Sequence, residues 1–223
     1  MAKIVVFGGS RGTGLACVEE ALARGHTVRM FARSAGRVSL VHDRLETFDG
    51  DALCKEDVDR ALAGCDAAVQ ALGVPLDLKL LTGPITLFSE ATRILVPAME
   101  AAGIRRLVAL TGFGAGDSYP AIAALQKPGF KLVFGRAYDD KTRQETLVKS
   151  SSLDWTFVRP GVLTNCPATG KYKVLTDRDT WQNGFVSRAN VAHFILESVE
   201  RDSWIGQGPV LIERGLLFFN RHK

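Results

Sequence analysis

No apolar run in this sequence approaches the roughly 18 residues that a helical membrane span requires, and none of its four cysteines stands at CxxC spacing. The first absence argues against a membrane helix. The second argues against a zinc ribbon, a dithiol redox motif or a disulfide framework, so Cys17, Cys54, Cys65 and Cys166 read as small, mostly buried apolar residues. Histidine is scarce as well, and His26, His42, His193 and His222 have no ligand-like spacing, so no metal is expected. Lys and Arg exceed Asp and Glu by 28 to 24, for a net charge of +4. The arginines are scattered rather than gathered into a basic run, which points away from nucleic acid and towards a small anionic ligand. Core-like sequence begins at Ile4–Phe7, too early for a secretory leader, and a cytoplasmic protein is expected.

What is present is a regular alternation. Lys3–Phe7 is a short β-branched run ending in glycines, and Gly12–Arg24 carries Leu15, Val18 and Leu22 at helical spacing. Thr27–Ala32, Leu45–Phe48, Ala67–Leu72, Arg106–Leu110, Trp155–Val158 and Pro209–Ile212 read as further strands. Helices are expected over Lys55–Ala63, Ile85–Ala102, Asp139–Lys149 and Arg188–Val199, the last with Ser187 as N-cap. Strands joined by helix-length crossovers pair in parallel, because a hairpin cannot connect them. The expected fold class is therefore α/β: a single doubly wound, Rossmann-type domain over residues 1–223, with a parallel sheet flanked by helices.

Between the first strand and the first helix lies Gly8-Gly9-Ser10-Arg11-Gly12-Thr13-Gly14. A glycine turn is common at such a junction. Here it opens a βαβ chain, where unpaired N–H groups at a helix N-terminus favour a phosphate and glycines let the backbone approach it. The spacing GxxxGxG at Gly8, Gly12 and Gly14 resembles the cofactor loop of short-chain dehydrogenases/reductases, and the likeness runs nearly the length of the chain. The sequence is most similar to the compact atypical branch of that family, which includes biliverdin/flavin reductases, NADPH-binding redox sensors and epimerase-like proteins. Gly50-Asp51, Leu72-Gly73, Thr111-Gly112 and Arg159-Pro160-Gly161 fall where that branch places its cofactor-facing strand ends.

The resemblance implies a nicotinamide dinucleotide, and NADP(H) rather than NAD(H). Where NAD-binding members carry an acidic residue for the ribose 2′-hydroxyl, this sequence has Arg33. Arg37 follows four residues on and Arg11 lies in the glycine loop, so three guanidinium groups are available to a 2′-phosphate. Asp51 resembles the residue that contacts the adenine, although a Gly-Asp pair also serves simply as a turn.

At the reacting end the family pattern breaks. Carbonyl-reducing members carry Tyr-x-x-x-Lys, with the tyrosine as proton donor. With Lys141 as the lysine, the tyrosine position is Ala137, and Tyr138 is one residue off. A one-residue step on a helix rotates a side chain by about 100°, so Tyr138 is not expected to replace the missing acid. Thr111 and Lys141 remain as candidate catalytic residues, and Gly112 stands where many relatives carry serine.

The leading expectation is an NADPH-dependent oxidoreductase that passes hydride directly to a small conjugated acceptor such as a flavin or quinone, which asks mainly for positioning. A non-catalytic NADP(H)-binding sensor is the alternative, and an epimerase or dehydratase is third. The acceptor pocket is expected from residues 74–84, 112–138 and 160–187. The protein is expected to be a monomer or homodimer, with the C-terminal Leu216-Leu217-Phe218-Phe219 packing on its own domain or forming an interface.

Overall fold

A computed structural model describes residues 1–74, 85–124 and 127–215. The 75–84 part of the expected acceptor pocket and the 216–219 patch lie outside the described residues.

Eleven strands are formed among the described residues: β1 (Lys3–Phe7), β2 (Thr27–Ala32), β3 (Leu45–Asp49), β4 (Ala67–Gln70), β5 (Arg106–Leu110), β6 (Asp154–Pro160), β7 (Val162–Thr164), β8 (Lys173–Leu175), β9 (Gly184–Ser187), β10 (Val210–Ile212) and β11 (Arg214–Gly215). Eight of them make one sheet in the order β3-β2-β1-β4-β5-β6-β10-β8. All neighbours in it pair in parallel except β8, which runs antiparallel to β10 at the edge. The crossover helices are α1 (Gly12–Ala23), α2 (Lys55–Leu62), α3 (Leu87–Ala101), α4 (Lys127–Lys149) and α5 (Arg188–Glu200).

The sheet is covered on both faces, and β1 shows why its sequence is continuously apolar. Ile4 and Val6 enter one core with residues of α1 and α5, while Val5 and Phe7 enter the other with residues of α2 and α3. A strand buried on both sides has no polar face to alternate with. This is the doubly wound α/β fold expected from the alternation.

Three features were not expected. First, α4 begins at Lys127, twelve residues before Asp139, because Pro128 falls in the first turn, where its missing N–H is not needed. Second, β6 continues through Arg159 and Pro160 rather than stopping before them. Third, the segment between β6 and α5 forms strands: β8 joins the edge of the main sheet antiparallel, so the sheet is not wholly parallel, and β11, β9 and β7 form a small second sheet in that order. Of the cysteines, Cys17 and Cys65 are buried, but Cys166 is exposed.

β1 and β4 are neighbours whose crossovers run in opposite directions from the middle of the sheet. In open α/β sheets the crevice outside the carboxyl ends of such strands is where ligands bind. The fold thus marks this crevice as the candidate place for a site before any side chain is considered.

Candidate active site

The glycine loop turns at that crevice. Gly8 and Gly12 adopt φ of 85° and 57°, which a side chain would strain. The N–H groups of Gly8 and Gly9 both reach the Phe31 carbonyl, at 2.9 and 3.2 Å, and tie the loop to the end of β2. A Cβ on Gly8 would lie 2.7 Å from the Ala71 carbonyl oxygen, so the loop passes directly over the end of β4, beside Leu72. A Cβ on Gly14 would overlap the Gly8 carbonyl oxygen, so the first turn of α1 is packed onto the loop.

The start of α1 is also electrostatically open. Its first internal bond runs from Leu15 N–H to the Arg11 carbonyl, no side chain of the described residues caps it, and its first turn carries no acid. By contrast, α2 has Glu56 and Asp57 in its first turn, and Ser187 caps α5. The start of α3 is closed by Asp140 of α4, which accepts hydrogen bonds from Phe88 N–H, Ser89 N–H and the Ser89 hydroxyl. The positive end of α1 is therefore left for an anion, with backbone close enough to meet it.

Arg33 directly follows β2, Arg37 ends a short 3₁₀ turn beyond it, and Arg11 sits in the glycine loop; all three are exposed. None of them is engaged in an ion pair among the described residues. Arg188, at the start of α5, is a further cation that sequence reasoning passed over. Its Nε lies 3.7 Å from where a Cβ of Gly12 would stand, and its Nη1 donates to Asn165 at 2.6 Å. Nothing local marked it, since its approach to the loop depends on α1 packing against α5. Asp51 has its carboxylate occupied by Leu53 N–H at 3.0 Å, while its own N–H donates to Asp57.

At the ends of β4 and β5, Leu72, Val74, Phe88, Ala137, Phe134 and Tyr138 pack together, and no atom of the described residues lies within 4 Å of where a Cβ of Gly73 would stand. Lys141 is buried there. Its ammonium donates to the Leu110 carbonyl at 3.2 Å and stands 4.0 Å from the centre of the Phe88 ring. Burial pushes its pKa down to about 8, against the smaller opposing pull of Glu145 and Asp140. The Thr111 hydroxyl points into the protein and donates to Glu145 at 2.8 Å.

Arg159, Pro160 and Gly161 form a structural junction. The Arg159 guanidinium is buried, paired with Glu145 at 2.6 Å and Asp117 at 2.5 Å, and it donates to the Gly208 carbonyl at 3.0 Å. Burial opposes its charge, but the two carboxylates outweigh this and hold its pKa above the ordinary arginine value. The Pro160 carbonyl accepts from Phe113 N–H, and Gly161 is pressed so closely onto Gly184 that a Cβ would overlap it. A separate hollow of about 260 Å³ beside Arg159 is lined by Trp155, Lys149, Arg178 and Trp181 and shares no residue with the glycine loop. Position at the strand ends outweighs cavity size in locating the site.

This geometry has a counterpart among known proteins. Residues 8–202 match the family described as NAD(P)H-binding. The chain belongs to that NAD(P)H-binding family. The fold of this NAD(P)H-binding protein is shared with ChuY, an anaerobilin reductase from Escherichia coli O157:H7, at 29% identity and a TM-score of 0.76, covering 96% of this chain and 98% of that one. It is shared also with a short-chain dehydrogenase/reductase from Veillonella parvula in complex with NADP, at 15% identity and a TM-score of 0.81, covering 96% and 95% of the two chains. Among curated relatives, the photosystem II assembly factor Ycf39 of Synechocystis is 24% identical over 90% of this chain, which spans 59% of that relative's length. The fold is thus oxidoreductase-like, and no helix among the described residues is long and apolar enough to cross a membrane.

The glycine cradle and the open start of α1 fit the pyrophosphate of such a cofactor. Gly14→Ala tests the fit, because its Cβ has no space unless the Gly8 carbonyl moves. Overpacking of this kind costs about 1–3 kcal/mol. Titration of intrinsic fluorescence with NADPH is expected to show affinity weaker by about fivefold or more for this variant; unchanged affinity would place the pyrophosphate elsewhere.

Proposed function

We propose that this protein is an NADPH-dependent oxidoreductase that reduces a small, flat conjugated acceptor such as a flavin or quinone. The observation that carries this reading is the aromatic and apolar wall at the ends of β4 and β5. Phe130 lies 4.7 Å from Tyr138 and 5.8 Å from Phe134, ring centre to ring centre, with the Tyr138 ring against Gly112 and the Phe130 ring against Gly114. A planar ligand is held by such surfaces through stacking and burial. The name of ChuY supports reduction of a conjugated acceptor.

In this reading one unit carries both sites, and among the described residues the acceptor pocket draws on 74, 112–124, 127–138 and 160–187. When bound, the cofactor supplies the hydride. The chain's own part is to hold and to orient. Gly8, Gly9, Ser10, Gly12, Thr13 and Gly14 present backbone to the pyrophosphate, and Arg188 stands beside it. Arg33, Arg37 and Arg11 take the 2′-phosphate; Asp51 flanks the adenine; Leu72 and Gly73 floor the nicotinamide side. Lys141 reaches the ribose once it leaves the Leu110 carbonyl.

Arg33 decides between the two dinucleotides. Removing one cation from a phosphate and adding a carboxylate in its place is expected to weaken NADPH binding by roughly tenfold or more. NADH binding by Arg33→Asp should change little. Parallel titrations with both nucleotides check this, and an unchanged preference would move the phosphate site away from the end of β2.

A second reading, a non-catalytic NADP(H) sensor, is favoured by a specific observation. The Thr111 hydroxyl and the Lys141 ammonium are both engaged by the protein itself. Oxidation of NADPH on addition of FMN or menadione supports the reductase. Tight NADPH binding with no oxidation in the presence of either supports the sensor.

A further inference from the structure

The residue that fails the family pattern by one position reaches the site by another route. The phenolic oxygen of Tyr138 lies 2.6 Å from the point where a Cβ on Gly112 would stand, and the ring carbons that follow lie at 3.0 and 3.1 Å. Any side chain at position 112 would collide with it. The absence of a side chain at 112 and the tyrosine at 138 are therefore one feature: the space just beyond β5 is filled by a hydroxyl that comes from α4 instead of from the strand.

The surroundings suit a donor. The ring is held by Phe130, Phe134 and the cluster around Phe88 and Ala137. The Tyr138 carbonyl accepts from the Thr142 hydroxyl, which in turn accepts from Gly116 N–H, so this turn of α4 is pinned to the segment after β5. Yet the Tyr138 hydroxyl itself has no hydrogen-bond partner among the described residues, and it is not one of the fully enclosed polar atoms left without a partner. A phenol held firmly by its ring at the carboxyl end of β5, with its O–H unpaired among the described residues, is poised to bond to a bound molecule.

We propose that Tyr138 donates a hydrogen bond to the acceptor heteroatom on which negative charge builds, from the place that a side chain at position 112 would otherwise occupy. This rests on the reductase reading above. The acceptor takes a hydride and its electron pair from the reduced nicotinamide, which is thereby oxidised. The new bond to hydrogen forms at the acceptor's electron-poor atom, and the displaced electron pair moves to the conjugated heteroatom. Water supplies the proton that neutralises it. Tyr138 remains neutral throughout, consistent with burial pushing its pKa up to about 12. Its work is electrostatic stabilisation by a pre-positioned donor, not acid catalysis.

The test compares wild type, Tyr138→Phe, Tyr138→Ala and the double variant Gly112→Ser with Tyr138→Ala. The readouts are NADPH affinity by fluorescence, turnover with FMN and with menadione, and FMN binding to the NADP⁺ complex. Tyr138→Phe is expected to lower kcat about a hundredfold, the usual loss on removing one such donor, with NADPH affinity unchanged within about twofold. A purely structural tyrosine would not split the two. The double variant, which returns a hydroxyl from the strand, is expected to exceed Tyr138→Ala by about tenfold.

Equal kcat in wild type and Tyr138→Phe, or parallel loss of NADPH affinity, overturns the proposal. A double variant no faster than Tyr138→Ala overturns the equivalence with position 112. If wild type turns over neither acceptor, the reductase reading fails by itself, and FMN binding then decides. Binding at least tenfold weaker in Tyr138→Phe keeps the donor role, whereas equal binding or none in wild type ends it.

Discussion

Arg159→Met is expected to lower the free energy of unfolding by about 3–5 kcal/mol. Arg159 and Glu145 are buried together, with side-chain exposures of 2% and 1%. Removing the guanidinium leaves Glu145 with the Thr111 hydroxyl as its remaining close donor among the described residues. Asp117 suffers less, because it keeps Arg178 at 2.5 Å and is partly exposed. The penalty is that of an uncompensated buried charge, which greatly exceeds the net worth of the pair. A double variant tests this directly: Arg159→Met with Glu145→Met should recover most of the loss, since replacing both members of a buried pair by apolar groups is commonly neutral. Urea melts of the four proteins give the coupling. Additive losses would mean that the cost comes from packing against Phe157 and Trp181, whose rings the guanidinium approaches at 5.9 and 5.2 Å.

The same ion pair marks the limit of what the sequence made legible. Strand and helix alternation is a local property, so the doubly wound sheet and the glycine loop at its centre were readable from periodicity and turn residues. Arg159 was read, with Pro160 and Gly161, as a cofactor-facing strand end. What decides its role, however, is the register that brings Glu145 of α4 and Asp117 of the preceding segment onto its side chain, and no local pattern encodes that. Tyr138 shows a different limit. The rotation of about 100° per residue is correct for an isolated helix, but the missing side chain at Gly112 gives a ring one step out of phase room to reach the same strand end. Arg188 was illegible because the loop it approaches, at Gly12, lies at the far end of the chain. The short strands β7, β8 and β9 follow one another with no α-helix between them, so the strand–helix alternation that made β4 and β10 readable is missing there.

Lys141→Met is expected to raise stability at pH 7 by about 3 kcal/mol while weakening NADPH binding, and the sign follows from its titration. Its pKa is pushed down from 10.5 to about 8, chiefly by burial. Between those values the unfolded chain binds the proton that the folded protein releases, so stability rises with pH from about 8 to 10.5 and is lower by the full amount below 8. A tenfold change in a proton affinity is worth about 1.4 kcal/mol. Methionine carries no charge to desolvate, so the gain over wild type should be largest at pH 7 and vanish towards pH 10.5, less whatever the lost bond to the Leu110 carbonyl contributes. Thermal melts at pH 7 and pH 10 separate these two contributions. A variant less stable than wild type at pH 7, or a gain that does not shrink on raising the pH, would show that the ammonium is well solvated in the folded protein. The predicted combination, a more stable protein that holds its cofactor less well, is the pattern of a buried charge kept for a ligand and not for the fold. It would also explain why Lys141 rests on a backbone carbonyl and an aromatic face, both partners that a ribose hydroxyl can replace.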